Sequence, residues 1–349
     1  MVHQFAAKHG LSSFASCRFI EGGASFHYSS VHVCSVPHHH RGQPFVSDFD
    51  GKKFPLEKLL ALRDELREQN QSPDGHPTCR GCALLETKSW EYEPYVFEYL
   101  GLGNWLYCNI ECSYCELQTK NLATYAMTFQ PYLLESTIRR FIDERLLAPT
   151  ATIDWGGGGE PTFYRDFPGV LAMLLDHGTF NYIHTNGTRD PKTLRISRPD
   201  RVHLICSVDA GLAETYFLIK RRDYLERVWA NLSGWSAMGA LVSVKYIMKK
   251  ENCGEDDLTA FAERAGRLRP ASVIVDIDFD FPQPGERIVS AIVSLQQRIA
   301  ALGIPVSYGH TGDRFTPEAG VAKKVEQAAA KLVQIEGTPV GMSKCSTAA

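Results

Sequence analysis

From Tyr95 onward, short apolar runs alternate with helical stretches, and that alternation limits the folds open to the chain. VFEYLGL (96–102), TATIDW (150–155), FNYIHTNG, VHLICSVDAG, LVSVKYIM and SVIVDIDFD read as strands, and IPVSYG as one last short strand. They are rich in β-branched and aromatic residues, which suit a pleated, half-buried surface. Between them lie TFQPYLLESTIRRFIDERLL, FPGVLAMLLDH, YLERVWANLSGW, DLTAFAERAGRL and GERIVSAIVSLQQRIAAL. Their apolar residues recur at helical spacing. Such alternation argues for parallel βαβ units, about six of them. An open doubly wound sheet satisfies the pattern, and so does a barrel, complete or partial. In both, functional residues gather at the C-terminal ends of the strands.

Cysteine placement adds a second constraint. Of ten cysteines, at 17, 34, 79, 82, 108, 112, 115, 206, 253 and 345, seven fall in the first third of the chain. The N-terminus, MVHQFAAKHGLSSFASC, has no basic start followed by an apolar run, and no stretch of eighteen apolar residues occurs anywhere. The expectation is a cytoplasmic protein with no membrane partner. Thiols stay reduced in that compartment, so clustered cysteines there bind metal or do chemistry rather than form disulfides. The net charge of −3 gives no electrostatic footprint for nucleic acid.

Cys108, Cys112 and Cys115 directly follow the first predicted strand, in the spacing C-x3-C-x2-C. One loop thus supplies three thiolates, one ligand short of a tetrahedral zinc site or a four-iron cluster. An open position admits a substrate or cofactor; a distant histidine or cysteine would instead complete a structural zinc. The next strand ends in IDWGGGGEPT, with Gly156 to Gly159 and then Glu160. Glycines let a ligand approach the backbone, and the carboxylate can accept hydrogen bonds from an ammonium group. A phosphate loop fits poorly, because no Lys-Ser or Lys-Thr follows and a carboxylate repels phosphate.

On these residues the stretch from about Tyr95 to Tyr308 resembles the radical S-adenosylmethionine (SAM) enzymes. The resemblance implies an α/β fold with a partial (β/α)6 TIM-type barrel. It implies that Cys108, Cys112 and Cys115 hold three irons of a [4Fe-4S] cluster, while the fourth iron chelates the amino and carboxylate groups of SAM. It places Tyr114 on the adenine side of SAM, and Gly158, Gly159 and Glu160 on the methionine amino group. Ser207 and Asp209 match a Ser-x-Asp pattern near the ribose and carboxylate, and Asn186 matches a polar position after the third strand. Lys245 and Asn252 also look familial, without a role. The implied chemistry is reductive cleavage of SAM to a 5′-deoxyadenosyl radical, which abstracts hydrogen from an unactivated carbon. A flavodoxin- or ferredoxin-type donor is the implied electron source.

Upstream, FPLEKLLALRDELREQN (54–70) reads as an amphipathic helix and CRFIEGGASFHYSSVHVC as a hairpin, followed by CRGC at 79–82. Cys17, Cys34, Cys79 and Cys82 make a complete four-thiolate set for iron–sulfur or zinc. The arrangement resembles the SPASM or Twitch auxiliary-cluster modules, placed before the barrel rather than after it. The expected organisation is a cysteine-rich α+β module at 1–94, the barrel at 95–310, and a C-terminal helix and tail at 311–349. HHH at 38–40 reads as a solvated loop, and Lys220-Arg221-Arg222 as a solvated helix end. Cys206 reads as a small buried residue. No catalytic acid, base or quencher is distinguished: Cys206, His184 and Asp278 all lie near strand ends. The expected substrate is a sugar-like or nucleoside-like metabolite, or else a peptide side chain as in peptide maturases and sulfatase activators. A zinc-stapled binding protein without catalysis is the reading from another class.

Overall fold

The computed structural model describes residues 4–27, 30–34, 45–46, 54–82, 84–90, 95–103, 105–115, 134–156, 158–194, 196–278 and 285–308. The histidine run at 38–40, Cys345 and the tail from 311 lie outside them. The chain divides into two compact units. The first comprises residues 1–108, 120–184 and 194–203; the second comprises 109–119, 185–193 and 204–349.

In the first unit, helices α1 (Gln4–His9), α2 (Arg18–Gly22) and α3 (Leu56–Asn70) accompany strands β1 (Phe14–Ser16), β2 (Gly23–His27), β3 (Ser30–His32), β4 (Phe45–Val46) and β5 (Glu86–Lys88). Next come β6 (Phe97–Gly103), α4 (Leu134–Asp143), β7 (Leu147–Trp155), α5 (Phe167–His177) and β8 (Phe180–Thr185). β6, β7 and β8 pair in parallel in sequence order, as βαβ units require. β2 adds in parallel to the other edge of β6, with Gly23 opposite Tyr99 and His27 opposite Gly103. The sheet therefore runs across the expected boundary at residue 94.

The predicted hairpin is half right. β2 and β3 pair antiparallel, with Phe26 opposite Val31, but the residues after Cys17 coil into α2 instead of forming a strand. The cause lies 46 residues on: Arg67 Nε and Nη2 donate to Glu21 at 2.9 and 3.0 Å, and Nη2 also reaches Ile20 O at 3.4 Å. The neighbouring Arg63 donates to Gly23 O at 2.7 Å and Val96 O at 2.9 Å. These guanidiniums sit at the end of α2, where the backbone carbonyls need donors. Arg63 is 2% exposed, and burial, reinforced by Arg67, pulls it down to about 9. The buried stripe of α3 thus alternates leucine with arginine: Leu59, Arg63, Leu66 and Arg67.

Phe26, Phe54, Phe97 and Phe141 form the core beneath this part of the sheet. Their rings lie 4.5 Å (Phe97–Phe141), 4.8 Å (Phe54–Phe141) and 5.3 Å (Phe26–Phe54) apart in tilted or edge-on pairs. Such pairs add about 0.5–1.5 kcal/mol each beyond area burial.

The second unit contains α6 (Ala213–Lys220), α7 (Leu225–Ala237), β10 (Leu241–Met248), α8 (Glu255–Leu268), β11 (Ser272–Ile277), α9 (Glu286–Ala301) and β12 (Val306–Tyr308). It also holds most of β9 (Val202–Ser207). β10 pairs β11 in parallel from Ser243–Ser272 to Met248–Ile277, and β11 pairs β12 in parallel. Tyr246 packs on Phe261 of α8 at 4.7 Å, so the even positions of β10 face the helix layer and the odd positions face away. The expected α/β class holds, with parallel strands and intervening helices consistent with a partial TIM-type barrel. Among the described residues no helix is long and apolar enough to cross a membrane.

Candidate functional site

The glycine loop after β7 is shaped by backbone contact. Gly159 N–H donates to Trp105 O at 3.1 Å and Glu160 N–H to Tyr107 O at 2.7 Å, so the loop runs alongside the segment that leads into Cys108. A Cβ on Gly159 would stand 2.0 Å from Tyr107 O. Gly158 takes φ 140°, a value few side-chain-bearing residues adopt. Glu160 is 2% exposed and turns inward, accepting from Thr162 Oγ1 at 2.6 Å and Thr162 N–H at 3.2 Å. In the same unit His184 Nε2 lies 3.3 Å from Asp154 Oδ1, and Tyr99 donates to Asp154 Oδ2 at 3.2 Å.

In the second unit the cysteine loop is clamped from two directions. Asn186, after β8, donates to Asn109 Oδ1 at 2.8 Å, and Asn109 donates to Thr188 Oγ1 at 2.9 Å. Asn186 Oδ1 accepts from Thr188 N–H and Oγ1 at 3.0 and 2.7 Å, the local turn expected of an Asn-Gly corner. From the other direction, Ser113 N–H donates to Ile219 O at 2.8 Å and Glu111 N–H to Lys220 O at 3.3 Å. The loop thereby caps the free carbonyls at the C-terminus of α6.

The centre of this clamp is ionic. Tyr114 donates its hydroxyl to Asp209 Oδ2 at 2.6 Å, Lys220 Nζ donates to Tyr114 Oη at 2.8 Å, and Lys220 pairs directly with Asp209. Asp209 is 0% and Lys220 1% exposed. The other Asp209 oxygen accepts from Ile247 N–H at 2.7 Å, while Asn252 donates to Asp209 O at 2.8 Å. Burial alone would lower Lys220, but Asp209 together with Cys112, Tyr114 and Tyr216 holds the ammonium well above its ordinary value. Burial and the adjacent Asp209 charge push the Tyr114 hydroxyl well up. Burial also raises the Cys112 thiol; Lys220 works against that rise and Asp209 adds to it.

Several sequence expectations change here. Lys220 is no solvated helix end; it is the buried partner of Asp209, while Arg221 is exposed and Arg222 pairs with Glu111. Asp209 has a φ of 60°, in the left-handed region. Asp257 meets the N-terminal end of α6, accepting from Gly211 N–H at 3.0 Å and Leu212 N–H at 2.9 Å. Lys245 pairs with Asp276 at 2.7 Å, and Lys249 with Asp278. Ser207 is half-buried at the end of β9, and Cys206 is fully buried, as expected. Asp257 and Lys249 carry no role in the sequence, where each sits among other charges and reads as surface.

Cys17, Cys34, Cys79 and Cys82 all line one apolar pocket of the first unit, with Phe19, Val33 and Leu66 among its walls. Burial pushes the Cys17 thiol up to about 11, and Cys79 and Cys82 lie near enough to raise it further. Converging thiols in an apolar wall are the donor chemistry of iron–sulfur or zinc. Among the described residues, no three His, Cys, Asp or Glu side chains stand in metal-ligating arrangement.

Residues 106–261 match the family model of the Radical SAM superfamily. The likeness is to a radical SAM domain, over a little under half of the chain. It covers the cysteine triplet, the glycine loop, Asn186, Ser207 and Asp209. The superfamily is one of enzymes, and it implies a [4Fe-4S] cluster and SAM. The chain is similar in fold to SuiB of Streptococcus suis bound to S-adenosylmethionine, with 14% identity and a TM-score of 0.46 over 80% of this chain and 58% of that one. It is similar to a radical SAM methyltransferase from Sphaerobacter thermophilus, with 19% identity and a TM-score of 0.37 over 58% and 63%. A domain of a pyruvate-formate lyase-activating enzyme from Bacteroides vulgatus gives 14% identity and a TM-score of 0.37 over 45% and 97%. The chain thus spans less than two thirds of SuiB. No curated protein matches it.

Proposed function

We propose that the chain reductively cleaves SAM and directs the resulting radical chemistry at a C–H bond of a small polar metabolite, sugar-like or nucleoside-like. Cys108, Cys112 and Cys115 hold the catalytic [4Fe-4S] cluster. Gly158, Gly159, Glu160, Asn186 and Ser207 form the SAM side, with Tyr114 and Asp209. When bound, a cluster held by Cys108, Cys112 and Cys115 would supply the electron for reductive cleavage of SAM and, through it, hydrogen abstraction from substrate. The protein's own part is to mount the cysteine loop on α6 and Asn186, and to line the substrate face.

One observation carries the substrate class. The face of β10 and β11 turned away from the helices carries polar groups beside Ile247 and Ile274: Ser243 and Ser272 share a hydrogen bond of 2.7 Å, Lys245 pairs with Asp276, and Lys249 with Asp278 just beyond the strands. Lys249 Nζ lies 5.4 Å from the centre of the Tyr114 ring, in the cysteine loop. Fixed, paired charges at C-terminal strand ends suit a ligand bearing several hydroxyl or amino groups. Peptide side chains are the competing substrate, and product analysis with a peptide library against a panel of aminocyclitols and nucleosides separates the two.

The four upstream cysteines belong to a second metal site, within the first unit. Their shared apolar pocket supports this, and a closed four-thiolate site there is suited to electron transfer or structural support. The test is iron and sulfide content after anaerobic reconstitution, for the wild type and a Cys108/Cys112/Cys115→Ala variant. The expected values are about eight irons and about four. About four in the wild type and none in the variant removes the auxiliary cluster, and zinc upstream becomes the measurement to make.

A further inference from the structure

We propose that the Lys220–Asp209 ion pair is a positioning and tuning element that sets the reduction potential of the cluster on Cys108, Cys112 and Cys115; this rests on the proposed function. The geometry places the pair at the mount of the loop. Both charged groups meet at the Tyr114 hydroxyl, and Tyr114 lies between Cys112 and Cys115. The residue that carries the cation also gives its backbone carbonyl to the loop, at Glu111 N–H. Lys220 Nζ stands 5.1 Å from the Tyr114 ring centre.

Solvent is excluded from the pair, so its field is weakly screened. Reduction adds negative charge to a cluster. A fixed cation nearby favours that state, and a fixed anion opposes it. Lys220 acts through the Tyr114 hydroxyl and the loop backbone, and Asp209 through Tyr114 as well.

The opposed signs give a test that separates tuning from structural support. Lys220→Met keeps length and removes the cation, while Asp209 retains the Ile247 N–H and Tyr114 donors. Asp209→Asn keeps shape and removes the anion. The full chain is reconstituted anaerobically and titrated electrochemically, following by electron paramagnetic resonance the reduced-cluster signal that changes when SAM is added. Lys220→Met is expected to shift that midpoint to more negative potential, and Asp209→Asn to more positive potential. The double variant and Lys220→Arg are expected to lie near the wild type. Shifts of one sign, or no shifts, in chains that still show the SAM-responsive signal overturn the tuning role. Loss of the signal in the wild type itself overturns the proposed function instead. If Lys220→Met fails to load, the Asp209→Asn and Lys220→Arg pair still decides: a positive shift in the first with none in the second is required.

Discussion

Replacing Gly159 by alanine is expected to destabilise the chain by about 3 kcal/mol or more, and to abolish SAM binding with it. The new methyl would stand 2.0 Å from Tyr107 O and 2.5 Å from its carbonyl carbon. Both neighbours are backbone, so no side chain can swing aside. Relief requires parting two hydrogen bonds, Gly159 N–H to Trp105 O and Glu160 N–H to Tyr107 O. Those bonds fix the glycine loop beside the residues that lead into Cys108. Gly169→Ala is the control, since nothing lies within 4 Å of a Cβ there. Urea denaturation midpoints and SAM binding by calorimetry check the pair. A wild-type midpoint for Gly159→Ala contradicts the close approach.

Asp257→Ala is expected to cost about 3–5 kcal/mol. Its carboxylate, 3% exposed as a residue, accepts three hydrogen bonds: Gly211 N–H at 3.0 Å, Leu212 N–H at 2.9 Å and the Tyr246 hydroxyl at 2.6 Å. Alanine strands the two backbone donors, each at about 1–3 kcal/mol, while the Tyr246 hydroxyl keeps Asn252 O as an acceptor at 2.6 Å. The two backbone donors stand at the start of α6, whose far end holds Lys220. The damage therefore reaches the mount of the cysteine loop. Asp257→Asn keeps an acceptor and is expected to lose about half as much. The same denaturation midpoints check it, and an alanine variant within 1 kcal/mol of wild type contradicts the assignment.

The strands and helices were legible because their apolar periods are strong. Leu241–Met248 and Ser272–Ile277 lie close to where β-branched residues cluster. Helix α6 was not legible: AETYFLIK buries Thr215, Tyr216, Ile219 and Lys220 while exposing Phe217 and Leu218, the reverse of what hydropathy suggests. α2 was missed for a related reason. Its Glu21 finds its partner at Arg67, a contact made by tertiary structure and invisible to a local window.

The site divides in the same way. The cysteine spacing and the glycine loop could be read from sequence because their chemistry is local. The charge pairs Lys220–Asp209, Lys245–Asp276 and Lys249–Asp278 join positions 11 to 31 residues apart. In sequence each lysine reads as a solvated surface charge; only the topology brings a carboxylate to it and takes both out of water. Glu160, expected to face an amino group, accepts from Thr162 Oγ1 and N–H, a contact between near neighbours that the sequence does not signal.

The central claim is that the cysteine loop supports reductive cleavage of SAM. It is tested most directly by 5′-deoxyadenosine formation, with SAM and dithionite under anaerobic conditions, for the reconstituted wild type and the Cys108/Cys112/Cys115→Ala chain. The account predicts 5′-deoxyadenosine and methionine in equal amounts from the wild type, and neither above the protein-free rate from the variant. Equal yields from both chains, or none from a wild type that carries its full iron, would contradict it.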